Sequence, residues 1–287
     1  MSVGELITLG ARRLARARVH FGHGTDNAHD ESAALVLHAL GLSHGSPRLR
    51  SRVSASAAAE ALALVARRIE ERVPAVYLTG KTWFAGIELR VDRRVLIPRS
   101  PLAELIERRF APWIEASRVR SVLDLGTGSG CIAIGCALAF GTAAVDASDI
   151  SAEALAVARI NVRKQRLGRR VRLVECDHFR GLEGRRYDII VSNPPYVGAR
   201  ELAALPPEYT REPRLALAAG RQGLRSVRAI LRGAGAHLRP GGILVVEVGN
   251  TERAVRRAFP RVPFTWLQFE RGGGGVFLLT AEQLHRE

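Results

Sequence analysis

Read for the spacing of its apolar positions, the chain divides into a helical stretch, a short alternating stretch, and a long succession of strand and helix signals. Residues 5–19 carry Leu6, Leu9, Leu14 and Ala17 among arginines, which predicts an amphipathic helix. After the turn-like Gly22-His23-Gly24, Thr25 or Asp26 is placed to cap a second helix with Ala33, Leu37 and Leu40 on its apolar face. Gly41 can end that helix. A third helix, rich in Ala and Leu, is predicted over residues 54–72 and stops before Pro74. Residues 76–98 change period. Trp83 to Val91 alternates, and Asp92-Arg93-Arg94 offers a turn before Val95-Leu96-Ile97, so a linking hairpin is predicted, closing at Pro98-Arg99-Ser100-Pro101. A helix over residues 102–110 follows.

From Arg120 onward strand and helix alternate, the signature of a parallel sheet with helices on its faces. Strands are predicted at residues 121–125, 143–149, 171–175, 188–192 and 243–248, with a helix over 131–138. The tail, residues 264–269 and 276–280, reads as an antiparallel hairpin, with the glycines at 272–275 as its loop.

The strand at 188–192 runs straight into Asn193-Pro194-Pro195-Tyr196. An unbroken Ile-Ile-Val run suits a strand buried on both faces, and two prolines cannot continue it. The first also drives Asn193 into an extended conformation. A side-chain amide, a carbonyl preceding a proline and an aromatic ring are thus gathered where open α/β sheets hold their ligands. In isolation the same four residues also make an ordinary Pro-rich turn with a surface tyrosine. Upstream, Asp124-Leu125-Gly126-Thr127-Gly128-Ser129-Gly130 is a strand end, a glycine turn and a helix start. Glycine at every second position lets a backbone turn tightly and approach a ligand, and the helix N-terminus adds free donors. The next strand ends in Asp149, where a carboxylate can accept both ribose hydroxyls. The spacing is neither GxGxxG nor GxxxxGK[ST], so neither a dinucleotide fingerprint nor an NTPase loop is present.

Length and composition narrow the class. The 287 residues suit one large domain and a smaller one, and 47% hydrophobic residues supply a packed interior. Cys131, Cys136 and Cys176 form no CxxC pair, so no zinc cluster or disulfide framework is suggested, no metal is expected, and a reduced cytoplasmic setting fits. No signal peptide or membrane span is read from the sequence. The net charge of +15 points to work near RNA. Nearly all of it is arginine, Lys81 and Lys164 being the only lysines, a pattern that genomic base composition also produces.

The GxGxG turn resembles the first motif of class I methyltransferases that use S-adenosylmethionine. The likeness extends further. Phe84-Ala85-Gly86, Ile97-Pro98-Arg99, the glycine turn, the NPPY stretch continuing into Val197, and Glu212-Pro213 through Gly223-Leu224 resemble the HemK-type protein-(glutamine-N5) methyltransferases from about residue 76 onward. Release-factor enzymes carry Pro-Glu-Thr after the Pro-Arg pair. Here Ser100-Pro101 follows, and with Arg211-Glu212-Pro213 and the 269–280 tail it is more similar to the branch acting on a glutamine of large-subunit ribosomal protein L-three.

The resemblance implies a class I, Rossmann-like α/β methyltransferase domain over residues 101–287. A hairpin over 76–100 would join it to a helical substrate-recognition domain over 1–75. It implies S-adenosylmethionine as cofactor and S-adenosylhomocysteine as product. Asp124, Gly126 and Gly128 would line the methionine portion, with Thr127 and Gly130 in the same turn. Asp149 would meet the ribose and Asp177 with Phe179 the adenine surroundings, and Ile150 would also bind the cofactor. Asn193 and Pro194 would each accept one N–H of the substrate amide, with Tyr196 packing on its flat face and Asn193 also bordering the cofactor. The partner implied is ribosomal protein L-three, before or during ribosome assembly, in the cytoplasm. Two rivals stay open on residues alone: an adenine-amino nucleic-acid methyltransferase using the same NPPY chemistry, and a non-catalytic binding module.

Overall fold

The computed structural model describes residues 1–43 and 47–284. The first helices form where the apolar spacing places them: α1 (Val3–Arg16), α2 (Ala28–Ala39) and α3 (Ala55–Glu70). Leu6, Ile7, Val36, Leu37, Ala58 and Ala61 make up a small core between them. Ser2 and Glu5 close a reciprocal capping box on α1. Gly10 lets α1 and α2 approach closely, since a Cβ there would lie 2.3 Å from Ser32 Oγ.

The cap of α2 is Asn27, not Thr25 or Asp26. Its side chain accepts from Asp30 N at 2.9 Å, while Thr25 Oγ1 is drawn away to donate to Glu31 Oε2 at 2.8 Å.

A short α4 (Ala75–Thr79) leads into an antiparallel pair, β1 (Lys81–Phe84) and β2 (Ile87–Arg90). The hairpin turn is Ala85-Gly86, not Asp92-Arg93-Arg94. Both residues take positive φ, +47° and +74°, the handedness that matches the twist of the flanking strands. The Asp92 turn forms too, with Val95 N donating to Asp92 O at 3.1 Å. It redirects the chain rather than pairing it, and residues 95–97 form no strand.

The large domain contains α5 (Leu102–Glu107), β3 (Ser121–Leu125), α6 (Cys131–Ala139), β4 (Ala144–Asp149), α7 (Ala152–Lys164), β5 (Val171–Glu175), β6 (Tyr187–Ser192), β7 (Leu238–Glu247), β8 (Thr265–Trp266) and β9 (Val276–Thr280). The seven strands are ordered β5-β4-β3-β6-β7-β9-β8. The first five run parallel, and β9 is antiparallel to both neighbours. Strand β7 starts at Leu238, earlier than the apolar run at 243, and β8 is only two residues long.

Side chains alternate across the sheet. Val122, Ile189, Val191 and Val245 meet the α5 and α6 side, while Leu123, Ile190, Leu244 and Val246 meet the helix Arg225–His237. The chain moves outward from β3 through β4 to β5, then returns to β6 on the other side of β3. That reversal is a topological switch point, and it sets the loops after β3 and β6 side by side.

A buried ionic network ties the two parts together. Arg68 of α3, fully buried, donates to Glu31 Oε1 at 2.6 Å, to the His20 carbonyl at 2.7 Å and to Glu208 Oε1 at 3.2 Å. Glu208 belongs to the segment beyond NPPY and also takes Arg72 at 3.3 Å and the His20 N–H at 3.0 Å. Removing the guanidinium leaves two buried carboxylates short of their shared cation, Glu31 with Thr25 and Glu208 with Arg72 and the His20 N–H. Arg68→Ala is therefore expected to cost about 3–5 kcal/mol in urea unfolding, and Arg67→Ala on the exposed face of the same helix under about 1 kcal/mol.

Candidate functional site

A cavity of about 810 Å³ opens at the carboxyl ends of the parallel strands. Gly126, Gly128, Asp149, Ile150, Asp177, Asn193 and Pro194 all line it. Parallel pairing brings them together: Leu125 is in register with Ser192 on one side and Ser148 on the other. Ser192 Oγ donates to Leu125 O at 2.7 Å, locking the two strand ends just before their loops diverge.

The glycine turn is shaped by its conformation. Gly126 and Gly128 have φ of +74° and +55°, and a Cβ at either would meet nothing within 4 Å, so glycine is needed for the backbone there and leaves the cavity wall open. Gly126 N and Thr127 N both donate to Ser148 O at 2.8 Å, pinning the turn to β4. Gly130 lies outside the lining and serves packing, since a Cβ would sit 3.3 Å from Ala158 Cβ.

Asp124 is wholly buried behind the turn. Its Oδ2 accepts from Thr127 Oγ1 at 2.6 Å and Ala133 N at 3.0 Å, and its Oδ1 has no partner. Burial pushes its pKa up to about 7 against those two donors. Asp149, at the tip of β4, accepts from Gly128 N and Ser151 N, both at 2.9 Å. Burial raises its pKa in spite of these bonds. Ile150 is 52% exposed, an apolar shelf beside that carboxylate. Asp177 is exposed and paired with His178 Nδ1 at 2.6 Å.

At the β6 tip, Asn193 Oδ1 is buried without a hydrogen-bond partner. Among the described residues nothing donates to the Pro194 carbonyl. The loop is held from below by Val197, whose N–H donates to Leu217 O at 2.9 Å and whose carbonyl accepts from Ala219 N at 3.0 Å. Two unfilled acceptors at a strand end, an open glycine turn and a ribose-type carboxylate fit a nucleoside cofactor alongside an N–H-bearing substrate. Among the described residues no group of three or more His, Cys, Asp or Glu side chains is arranged to hold a metal.

Asp124, Thr127, Phe179 and Tyr196 do not line the cavity, Asp124 because it is sealed beneath the glycine turn. Phe179 stacks on His237 with ring centroids 4.6 Å apart and packs over Gly233. Tyr196 turns its ring onto Gly249, where a Cβ would lie 2.6 Å from Cε2, and donates its hydroxyl to Glu247 Oε1 at 3.3 Å. Glu247, at the tip of the neighbouring strand β7, also accepts from Ser100 Oγ, and burial lifts its pKa to about 7. Sequence reading passed over Glu247, although a carboxylate closing an apolar run at a strand's carboxyl end was the signal that singled out Asp149. It also passed over the role of Glu212. That carboxylate takes His23 Nε2 at 3.0 Å, both terminal nitrogens of Arg99 at 2.6 and 3.0 Å, and Ile97 N at 3.0 Å. No sequence spacing announces a contact across 189 residues.

Comparison with known proteins gives three findings. The family model for the methyltransferase small domain matches residues 108–205. The ribosomal protein uL3 glutamine methyltransferase of Neisseria meningitidis serogroup B is 46% identical over 286 residues, 99% of this chain and 94% of that protein. That of Xylella fastidiosa is 47% identical over 289 residues, 99% of this chain and 91% of that one. The solved hMettl16 catalytic domain, in complex with MAT2A 3′UTR hairpin 1, matches with a TM-score of 0.50 at 18% identity over 82% of this chain and 84% of that one. This last likeness concerns the fold alone.

Asp124 and Glu247 hold their protons more tightly folded than unfolded. Below about pH 4 both states are protonated and nothing is lost. As pH climbs toward 7 the unfolded chain ionises first, and stability declines before levelling off above the folded pKa. Asp124→Asn and Glu247→Gln are each expected to flatten the fall in unfolding free energy between about pH 4 and 7, as read by urea titration at several pH values.

Proposed function

Because this chain belongs to the ribosomal protein uL3 glutamine methyltransferase family, we propose that it transfers a methyl group from S-adenosylmethionine to the side-chain amide nitrogen (N5) of a glutamine in ribosomal protein uL3. As a methyltransferase of class I fold it needs a methyl donor, and S-adenosylmethionine, when bound, supplies an electrophilic methyl carbon on a sulfonium.

The task left to the chain is positioning. A carboxamide nitrogen is a poor nucleophile, because its lone pair is delocalised into the carbonyl. Asn193 Oδ1 and the Pro194 carbonyl each accept one of its N–H groups, which directs the remaining lone pair toward the methyl and favours a pyramidal nitrogen. The observation that carries this reading is the buried, partnerless Asn193 Oδ1 on the cavity wall. Leaving a buried amide oxygen unpaired costs on the order of 1–3 kcal/mol, and a substrate N–H recovers it.

In the same reading, Gly126 and Gly128 attend the methionine portion, with Asp124 buried behind them and outside the cavity lining, while Asp149 and Ile150 attend the ribose and Asp177 the adenine edge. Thr127 holds Asp124, and Gly130 lets the helix close up behind the turn. Phe179 backs the adenine wall through His237, and Tyr196 fixes the NPPY loop through Glu247 instead of touching the amide. Residues 1–75 serve as the substrate-recognition domain, 76–100 as its linker and 101–287 as the methyltransferase domain. The reaction belongs in the cytoplasm, where the ribosomal protein is made, and among the described residues no helix is long and apolar enough to cross a membrane. The uL3 substrate is preferred to a release factor because relatives named for uL3 match at 46–47% identity over nearly the whole chain.

Asn193→Ala is expected to lower kcat about 10²–10³-fold with cofactor Kd within twofold, whereas Asp149→Ala raises cofactor Kd about tenfold or more. Transfer of tritiated methyl to purified uL3 and calorimetric cofactor titration check both. Full turnover by the Asn193 variant would refute the amide clamp, and label recovered in RNA or in a release factor in preference to uL3 would refute the substrate.

A further inference from the structure

One wall of the cavity has a charge that methyl transfer does not call for. Residues 213–237 contain Arg214, Arg221, Arg225, Arg228 and Arg232 and not one Asp or Glu. All five arginines are exposed. Among the described residues none of them has a carboxylate within ion-pair distance. Across the cleft, Arg93 and Arg94 also line the cavity but are matched, by Glu71 at 3.8 Å and Asp92 at 2.6 Å.

Arg225, Arg228 and Arg232 lie three and four positions apart on the helix Arg225–His237, so they make one stripe about 10 Å long that faces the cavity mouth. The middle one is braced over the Phe259 ring at 5.4 Å. Like charges left unmatched in a row repel one another, and a row of guanidinium forks suits a row of phosphates, which each fork can take in a bidentate fashion.

We propose that this arginine wall binds the phosphate backbone of RNA, so that the enzyme engages its substrate protein together with RNA. The second half of that statement rests on the ribosomal-protein reading above; the first does not. An acidic protein surface is the less suitable occupant. A protein interface needs apolar anchors at its centre, and the helix carrying the stripe exposes no large apolar side chain. Nor does that helix offer an exposed aromatic ring on which bases could stack, His237 being buried against Phe179, so binding is independent of sequence and governed by salt.

Fluorescence anisotropy of the full chain with a labelled mixed-sequence RNA of twenty nucleotides tests this, run across a salt series with polyglutamate as a second probe. The triple variant Arg225→Gln/Arg228→Gln/Arg232→Gln is expected to weaken RNA binding at least tenfold and to reduce the log–log salt slope by about 2. Arg12→Gln/Arg13→Gln/Arg16→Gln, the same loss of charge on α1, is expected to leave Kd within twofold. Circular dichroism and urea unfolding of both variants show that they are folded. Equal weakening by the two variants, or binding of polyglutamate but not RNA, overturns the wall. Methylation of free uL3 is scored in parallel. Transfer without any RNA binding sinks the wall and leaves the function standing, whereas RNA bound by the wall with no transfer to uL3, RNA-bound or free, sinks the function alone.

Discussion

Parallel hydrogen bonding between β3 and β6 is the constraint on which the site depends. The two strands are 62 or more residues apart in the chain, yet Leu125 and Ser192 are register partners, and a serine hydroxyl locks them at the last rung. Each strand then stops for its own reason: β3 because Gly126 takes a left-handed turn, β6 because two prolines end the ladder. Two independent strand-breaking signals become one cavity only because the sheet reverses its direction of growth between them. Neither loop has to be long, and the acceptors on both inherit the rigidity of a sheet buried on both faces.

Around that pair of strand ends the protein places carboxylates with unequal surroundings. Asp124 and Glu247 are sealed from water with hydroxyl or backbone donors, and burial raises both, outweighing in Glu247 the pull of the Arg99 charge. Glu212 is buried as well, but hydrogen bonds from His23 and Arg99 hold it below the usual carboxylate range. The first two brace the glycine turn and the NPPY loop. The third ties the segment bearing Pro98 and Arg99 to the helical domain and to the loop that roofs the cavity through Pro213, Leu215 and Ala216. With Arg68 and Glu208, it joins the amino-terminal helices to the rim of the site by ionic contacts that are expensive to break. The amino-terminal helices are thereby linked through Glu208 and Glu212 to the segment that lines the cavity at Pro213, Leu215 and Ala216.

Local chemistry by itself settled the elements whose cause is local. An apolar run closed by prolines, glycines at alternate positions before a helix, and an aspartate ending the following strand each act within a few residues, so the sheet class and the strand-end residues of the cavity, Gly126, Gly128, Asp149, Asn193 and Pro194, were readable in order along the chain. Where a local signal had near competitors the reading slipped. Asn27 displaced Thr25 as a cap, and Ala85-Gly86 outcompeted Asp92 as the hairpin turn, because positive φ at two successive positions fits the strand twist.

Tertiary structure decided the rest: the direction in which Tyr196 and Phe179 point, the partnership of Ser100 with Glu247, and the meeting of His23 with Glu212 across 189 residues. It also decided that arginines spaced along a helix form one wall of a cleft. Side-chain direction and pairing between distant segments follow from how layers pack, and packing is a property of the whole sheet. The periodicity of any one segment says which face is apolar, not what that face, or the polar one opposite, will meet.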